Sequence, residues 1–211
     1  MERKTDQAYE TIKDRIITGE YPPMMDISEE AIQKELKMSR TPVREALIRL
    51  REDGFILVYP KKGTLVSAVS LDLINDIYEV RGCNEPEICI RASQYIPKEV
   101  LLELRKQFSE TKKIPDDPEN RKFFVKLDDR LHTTILRYCG NPYFIKTMKL
   151  VYLHNERFRN FSSNPVSDGS IAEHIQLIDA ILSKDPEKIR AASEAHLRAS
   201  KRIAVNSFIK K

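Results

Sequence analysis

Apolar residues recur at helical spacing along most of this chain. Over residues 5–19, Tyr9, Ile12, Ile16 and Ile17 share one face, which predicts an amphipathic helix ended by Gly19 and Pro22-Pro23. Ser28 stands where it would cap a short second helix carrying Ala31, Ile32 and Leu36. Ser39 stands likewise before a third, with Pro42 in the first turn, where a missing N–H removes no helical bond, and Gly54 at its end. The period then changes. Phe55-Ile56-Leu57-Val58 and Thr64-Leu65-Val66 flank Tyr59-Pro60-Lys61-Lys62-Gly63, and two short β-rich runs around a Pro/Gly turn predict a hairpin. Three helices followed by a hairpin outline a winged helix.

Residues 67–71 read as a joint, giving expected domains at 1–68 and 72–211. Beyond the joint there is helical periodicity and no strand signal. Cap residues followed by proline (Asp117-Pro118, Asn141-Pro142, Asp185-Pro186), with Pro97 acting similarly, mark helix starts. The predicted helices run roughly over 71–94, 97–112, 117–139, 142–161, 169–184 and 186–208, and Pro86 is expected to bend or interrupt the first. The expected fold is mainly α: an N-terminal winged helix-turn-helix plus a C-terminal all-α helical bundle with room for a central cavity.

Composition agrees: with 6 Gly and no Trp a strand-rich barrel is disfavoured. The formal charge of +4 is too small to indicate a nucleic-acid partner by itself. Its placement says more. Residues 1–67 carry twelve basic and twelve acidic side chains, yet from Lys37 to Lys62 there are seven basic against three acidic. Cys83, Cys89 and Cys139 form no CxxC pair and read as buried, reduced thiols. No signal-peptide pattern opens the chain and no uncharged apolar run is long enough to span a bilayer, so a cytoplasmic protein is expected.

On the third helix, Val43, Ala46, Leu47 and Leu50 share a face for packing, while Thr41, Arg44, Glu45 and Ile48 point away and Arg40 stands at the entrance. A recognition helix presents its N-terminal turns to the major groove, where arginine can bind guanine bidentately. The alternative is an ordinary solvated helix with a basic face. The run SRTPVREALIRLREDGFI, followed by KKGTLV, resembles the signature of GntR-type winged-helix regulators. That resemblance implies that Arg40 and Arg44 read bases, Thr41 touches the backbone and Gly63 lets the wing approach the minor groove. With Arg49 and Lys62 these make up the candidate DNA-binding set. Glu30 and Lys37 depart from the family pattern, where a basic residue and a turn glycine are usual.

Four histidines lie in the second half: His132, His154, His174 and His196. Asp128 and His132 are four apart and share a helix face, so they could bind one ion. By spacing alone the other histidines could equally be satisfied core or surface residues. The segments LDDRLHTTILRYCGNPYF and EHIQLIDAILSKDPEKIRAASEAHL, however, resemble the ligand-binding FCD domain of the FadR subfamily, in its VanR-like six-helix type. The resemblance implies that Asp128, His132, His174 and His196 hold a divalent transition metal (Zn²⁺, Ni²⁺ or Mn²⁺). It further implies a small organic acid as effector, with Arg81 holding the anion, and a homodimer on a two-fold related DNA operator. Arg81 could instead pair with Glu79 or Glu85; His154 and Asn155 could line the same cavity, although Arg157 and Arg159 suggest a solvated face.

The expected function is a DNA-binding transcriptional regulator, acting as a repressor, with operator affinity set by the acid. A metalloenzyme is disfavoured, since the chain has no HExxH motif and no clear nucleophile–base pair. A metal of purely structural role remains an alternative.

Overall fold

The computed structural model describes residues 3–59, 63–111, 117–161 and 168–209. The chain forms two compact units, Met1–Ser70 and Leu71–Lys211.

The first unit contains α1 (Lys4–Thr18), β1 (Asp26–Ile27), α2 (Glu29–Leu36), α3 (Arg40–Glu52), β2 (Ile56–Tyr59) and β3 (Gly63–Val66). Ile12 and Ile16 of α1 pack with Val43, Ala46 and Leu50 of α3, all of them fully buried, and Phe55, Ile56 and Val66 close the core beneath the sheet. Left-handed glycines turn the chain where the sequence placed them, Gly19 at φ 86° and Gly54 at φ 78°. Ser28 accepts the Ala31 N–H at 3.3 Å as a cap, whereas Ser39 occupies the corresponding position of α3 without a side-chain cap bond.

The hairpin pairs Ile56 with Val66 and Tyr59 with Gly63. The sheet has a third strand that the pattern did not announce: β1 pairs antiparallel with β3, giving the order β1-β3-β2. Two residues with one apolar side chain, Ile27, are too short for an alternation to register. Gly63 sits at φ 110°, a backbone conformation that strains any side chain, and a Cβ there would crowd the Asp26 carboxylate of β1 at 3.2 Å. The turn residues Pro60, Lys61 and Lys62 lie outside the described residues.

Among the described residues the second unit contains six helices: α4 (Leu71–Ala92), α5 (Lys98–Thr111), α6 (Pro118–Tyr138), α7 (Pro142–Asn160), α8 (Asp168–Ser183) and α9 (Pro186–Ile209). α4 packs along α9, α7 and α6, and α8 fills the space between α9 and α5. The core is aliphatic with Phe108 at its centre, joined by Leu101, Leu104, Leu131, Ile178 and Ile181. Asp117 accepts the Glu119 and Asn120 N–H groups at 2.9 Å, Asn141 that of Tyr143 at 2.9 Å, and Asp185 that of Glu187 at 3.1 Å, so the cap-proline reading of these starts is correct.

Pro86 does not interrupt α4, which runs through it. The carbonyl it leaves without a helical partner belongs to Gly82, an exposed residue where water can reach it. Cys89 and Cys139 are buried free thiols, but Cys83 is exposed, because it lies beside Gly82 on the outer face of α4. No helix among the described residues is long and apolar enough to cross a membrane.

Candidate metal centre and DNA-reading surface

Asp128, His132, His174 and His196 come together inside the second unit. Asp128 and His132 lie one turn apart on α6, His174 nearly two turns into α8, and His196 midway along α9. Each is at most 5% exposed, and one ligand atom from each lies within 4.8 Å of all the others. His132 Nε2 is 3.2 Å from His196 Nε2 and 3.8 Å from the Asp128 carboxylate, which also meets His174 Nε2.

Hydrogen bonding behind the rings tells which nitrogens face inward bare. His174 Nδ1 lies 2.6 Å from the Ser170 carbonyl oxygen, which can only accept, so Nδ1 carries the proton. Nε2 is then the nitrogen that faces the Asp128 carboxylate and the interior of the cluster. His132 Nδ1 likewise faces the Glu85 carboxylate at 3.6 Å, leaving Nε2 inward. Proton donation from the outer nitrogen to a carbonyl or carboxylate is the usual support of a metal-bound imidazole. Phe108 stacks on His174 with ring centres 4.6 Å apart, and Phe124 meets it edge-on, which fixes the ring plane.

Electrostatics favour the same state. Burial pushes the His196 imidazole well below its ordinary range, helped by the neighbouring histidines, and lowers that of His132 against the pull of Glu85 and Asp128. Both rings are therefore neutral at neutral pH, as ligands must be. Burial alone would raise Asp128, but the Arg159 guanidinium foremost outweighs it and holds the carboxyl well below the usual range. Three imidazoles and one carboxylate, buried and convergent, suit a divalent transition ion and leave coordination positions for a further ligand.

Arg159 is the residue that sequence reasoning misplaced. Its guanidinium binds Asp128 and lies 3.0 Å from Asp129, with its side chain 16% exposed. Arg157 is fully buried as well, so neither arginine marks a solvated face of α7. Asp129, pushed up to about 7 by burial and by the charges of Asp128 and Glu156 against the pull of Arg159, points away from the cluster. No signal in the sequence gave Arg159 away, because an arginine four residues beyond Asn155 reads equally well as surface.

Arg81 is 2% exposed. Its Nε lies 2.5 Å from Glu85 and its Nη1 donates to the Asn155 carbonyl oxygen at 2.7 Å, with the guanidinium between the Tyr78 and Tyr152 rings. Of the two ion pairs open to it in the sequence, the one with Glu85 forms, and it is buried. A cavity of about 120 Å³ beside the cluster is lined by Arg81, Asp128, Asn155, Arg159 and His174. His154 is buried and does not line it.

In the first unit α3 turns Arg40, Thr41, Arg44 and Ile48 outward. Arg40 is 73% exposed on its side chain and holds Glu29 at 2.8 Å. Arg44 is exposed. Arg49 differs from them: it reaches Asp6 at 2.7 Å and stacks over Tyr9 at 4.2 Å, which ties α3 to α1. Glu30 is exposed on α2, and Lys37, where a glycine is usual, ends α2 in the left-handed region at φ 53°.

Two family models match the chain: bacterial regulatory proteins of the gntR family over residues 4–66, and the FCD domain over residues 76–199. The HTH-type transcriptional repressor RspR of Escherichia coli K12 is 24% identical over 194 residues, spanning 91% of this chain and 85% of that protein. The structure of E. coli McbR/YncC matches with a TM-score of 0.79 at 20% identity, over 99% of this chain and 100% of the other. The metal-free FCD domain of TM0439 matches with a TM-score of 0.57 at 22% identity, over 69% of this chain and 100% of the other. The structural matches establish likeness of fold.

Proposed function

Because this chain belongs to the GntR family of bacterial regulators and carries an FCD domain, we propose that it is a repressor whose hold on its operator is set by a small organic acid bound beside a metal ion. That it is a DNA-binding transcriptional regulator and no enzyme follows from the family and its relatives. The rest is our reading. Residues 1–68 act as the winged helix-turn-helix and 72–211 as the effector, metal and dimerisation domain of a cytoplasmic homodimer.

The observation that carries the reading is the convergence of Asp128, His132, His174 and His196, all buried, with one ligand atom of each within 4.8 Å of the others and His174 Nδ1 held on the Ser170 carbonyl oxygen. Asp128, His132, His174 and His196 would hold Zn²⁺, Ni²⁺ or Mn²⁺, and the bound ion would supply a positive centre for a carboxylate. Arg81 fixes the Asn155 amide in the adjoining cavity, and the two orient the acid. Arg40, Thr41, Arg44 and Gly63, with Arg49 and Lys62, form the DNA-binding set. Arg49 acts there by bracing α3 on α1. The acid changes DNA affinity only to the extent that it binds the high- and low-affinity states unequally.

The test measures metal content after loading, then operator affinity with and without candidate acids. Operator binding that changes with acid only in the metal-loaded protein supports the reading. Metal that stabilises the fold while no acid changes operator affinity would reduce it to a structural site.

A further inference from the structure

One large apolar side chain of α3 takes no part in the packing of that helix. Val43, Ala46, Leu47 and Leu50 are buried in the first unit, whereas Ile48 is 40% exposed. At 100° per residue Ile48 falls with Thr41 and Glu45 on the line opposite the buried stripe, and Arg44 stands one turn before it. A lone exposed isoleucine is ordinary on a protein surface. This one stands on the face that the recognition helix of a helix-turn-helix turns to the major groove.

Longer polar side chains around Ile48 are tied back. Arg40 donates to Glu29 at 2.8 Å, Glu45 accepts from the Thr5 hydroxyl at 2.7 Å, and Arg49 donates to Asp6 at 2.7 Å. The hollow that Ile48 lines between α1 and α3 is otherwise polar, walled by Arg3, Thr5, Asp6, Glu45 and Arg49, so it offers the isoleucine no apolar partner. Thr41 and Arg44 make no side-chain hydrogen bond or ion pair among the described residues. Thr41, Arg44 and Ile48, spaced i, i+3 and i+7, are thus the uncommitted row of the outward face.

Base edges in the major groove present hydrogen-bond donors and acceptors and one apolar group, the C5-methyl of thymine. We propose that Ile48 is a specificity-determining residue that packs on a thymine methyl, beside the base pair read by Arg44. This rests on the DNA-reading assignment of α3 above and adds a residue to it. Four residues of helix rise about 6 Å, close to two base-pair steps of about 3.4 Å. The thymine therefore lies within about two base pairs of the guanine that Arg44 takes.

The experiment uses the full chain and an operator recovered from random duplex DNA by repeated binding and amplification. Arg44→Ala locates the guanine, as the position whose preference it relaxes. Each thymine is then replaced in turn by deoxyuridine, which removes the methyl and keeps every hydrogen-bonding group. At the contacted position this should weaken binding about three- to fourfold. Ile48→Ala should bind the thymine and uracil duplexes alike, and Ile48→Val, which keeps a branched apolar side chain, should retain the discrimination. The wild-type ratio tests the proposal without any variant, and the exposure of Ile48 lets the substitutions fold.

If no uracil within about two base pairs of that guanine weakens binding, or if Ile48→Ala keeps the wild-type penalty, the proposal falls and the DNA-reading assignment of α3 stands. A random pool that yields no preferred sequence overturns both. If the uracil penalty is absent and Ile48→Ala changes the oligomeric mass, Ile48 faces a second copy of the chain, which also overturns the proposal.

Discussion

His174 Nδ1 lies 2.6 Å from the backbone carbonyl oxygen of Ser170, so the Nδ1 proton is held outside the cluster while Nε2 faces Asp128 within it. One backbone acceptor thereby decides which nitrogen can take a metal. Loss of an outer partner typically weakens metal binding by 10–100-fold, so removal of the ring itself by His174→Ala should weaken it by at least about 100-fold. His196→Ala should do the same, while His154→Ala, which changes a buried histidine outside the cluster, should leave the stoichiometry at one ion per chain. Calorimetric titration of the metal-free protein with Zn²⁺ measures all three.

Arg159 competes with a metal for Asp128. In the metal-free protein its guanidinium pairs with Asp128 and lies 3.0 Å from Asp129, and breaking a largely buried pair typically costs about 3–5 kcal/mol. Arg159→Ala should therefore lower the melting temperature of the metal-free protein by several degrees. Metal would restore most of that loss, since it replaces the missing charge, and the variant should bind the ion more tightly because a neighbouring cation is gone. A variant equally destabilised with and without metal would show that Arg159 only packs.

What the sequence made legible, and what it concealed, divides along physical lines. Helix starts were readable because capping is local: Asp117, Asn141 and Asp185 each serve N–H groups two or three residues away. The third helix was readable because its apolar stripe has a period. Spacing offered only the Asp128–His132 pair; His174 and His196 could be joined to it only through resemblance, since α6, α8 and α9 meet through folding alone. Arg159 and β1 were hidden for the same reason. A buried arginine and a two-residue strand both acquire meaning from partners far along the chain, 31 residues away for Asp128 and 39 for Leu65.

The metal-free second unit should lose stability on mild acidification. His132 and His196 sit below their ordinary range, so as pH falls through 6.5 the unfolded chain takes up protons that the folded chain refuses. Each such site contributes about 1.4 kcal/mol per pH unit between its unfolded and folded values. Asp128, held low, adds a further loss only below its unfolded value of 3.8. Melting temperatures from pH 7.5 to 5 should decline in wild type and much less in a His132→Gln, His196→Gln double variant. A profile equally steep in both would place the titration elsewhere.

Lys37 occupies a left-handed position, φ 53°, at the corner between α2 and α3. A side chain there is disfavoured by roughly 1 kcal/mol relative to glycine. Lys37→Gly should accordingly stabilise the first unit by up to about 1 kcal/mol, less what the freer glycine loses in the unfolded chain. Chemical denaturation tests it. Destabilisation would mean that the lysine makes interactions worth more than its strain.

Arg40 holds Glu29 at 2.8 Å, and both stand at the edge of the surface that α3 turns outward. Reading a base would require the arginine to leave that carboxylate, so the pair would restrain DNA binding. Glu29→Gln should raise operator affinity modestly, since an exposed pair is worth about 0.2–1 kcal/mol. Arg40→Ala with Arg44→Ala should have the opposite and larger effect: about 1–3 kcal/mol for each bidentate arginine–base pairing removed, together with weaker discrimination against altered operators. Arg49→Ala belongs to a different category, because its partners are Asp6 and Tyr9; it should lower the melting temperature of the first unit as well as DNA affinity. Binding isotherms at several salt concentrations separate these effects. An Arg40, Arg44 double variant that kept tight, salt-sensitive, sequence-specific binding would mean that some other surface reads the operator.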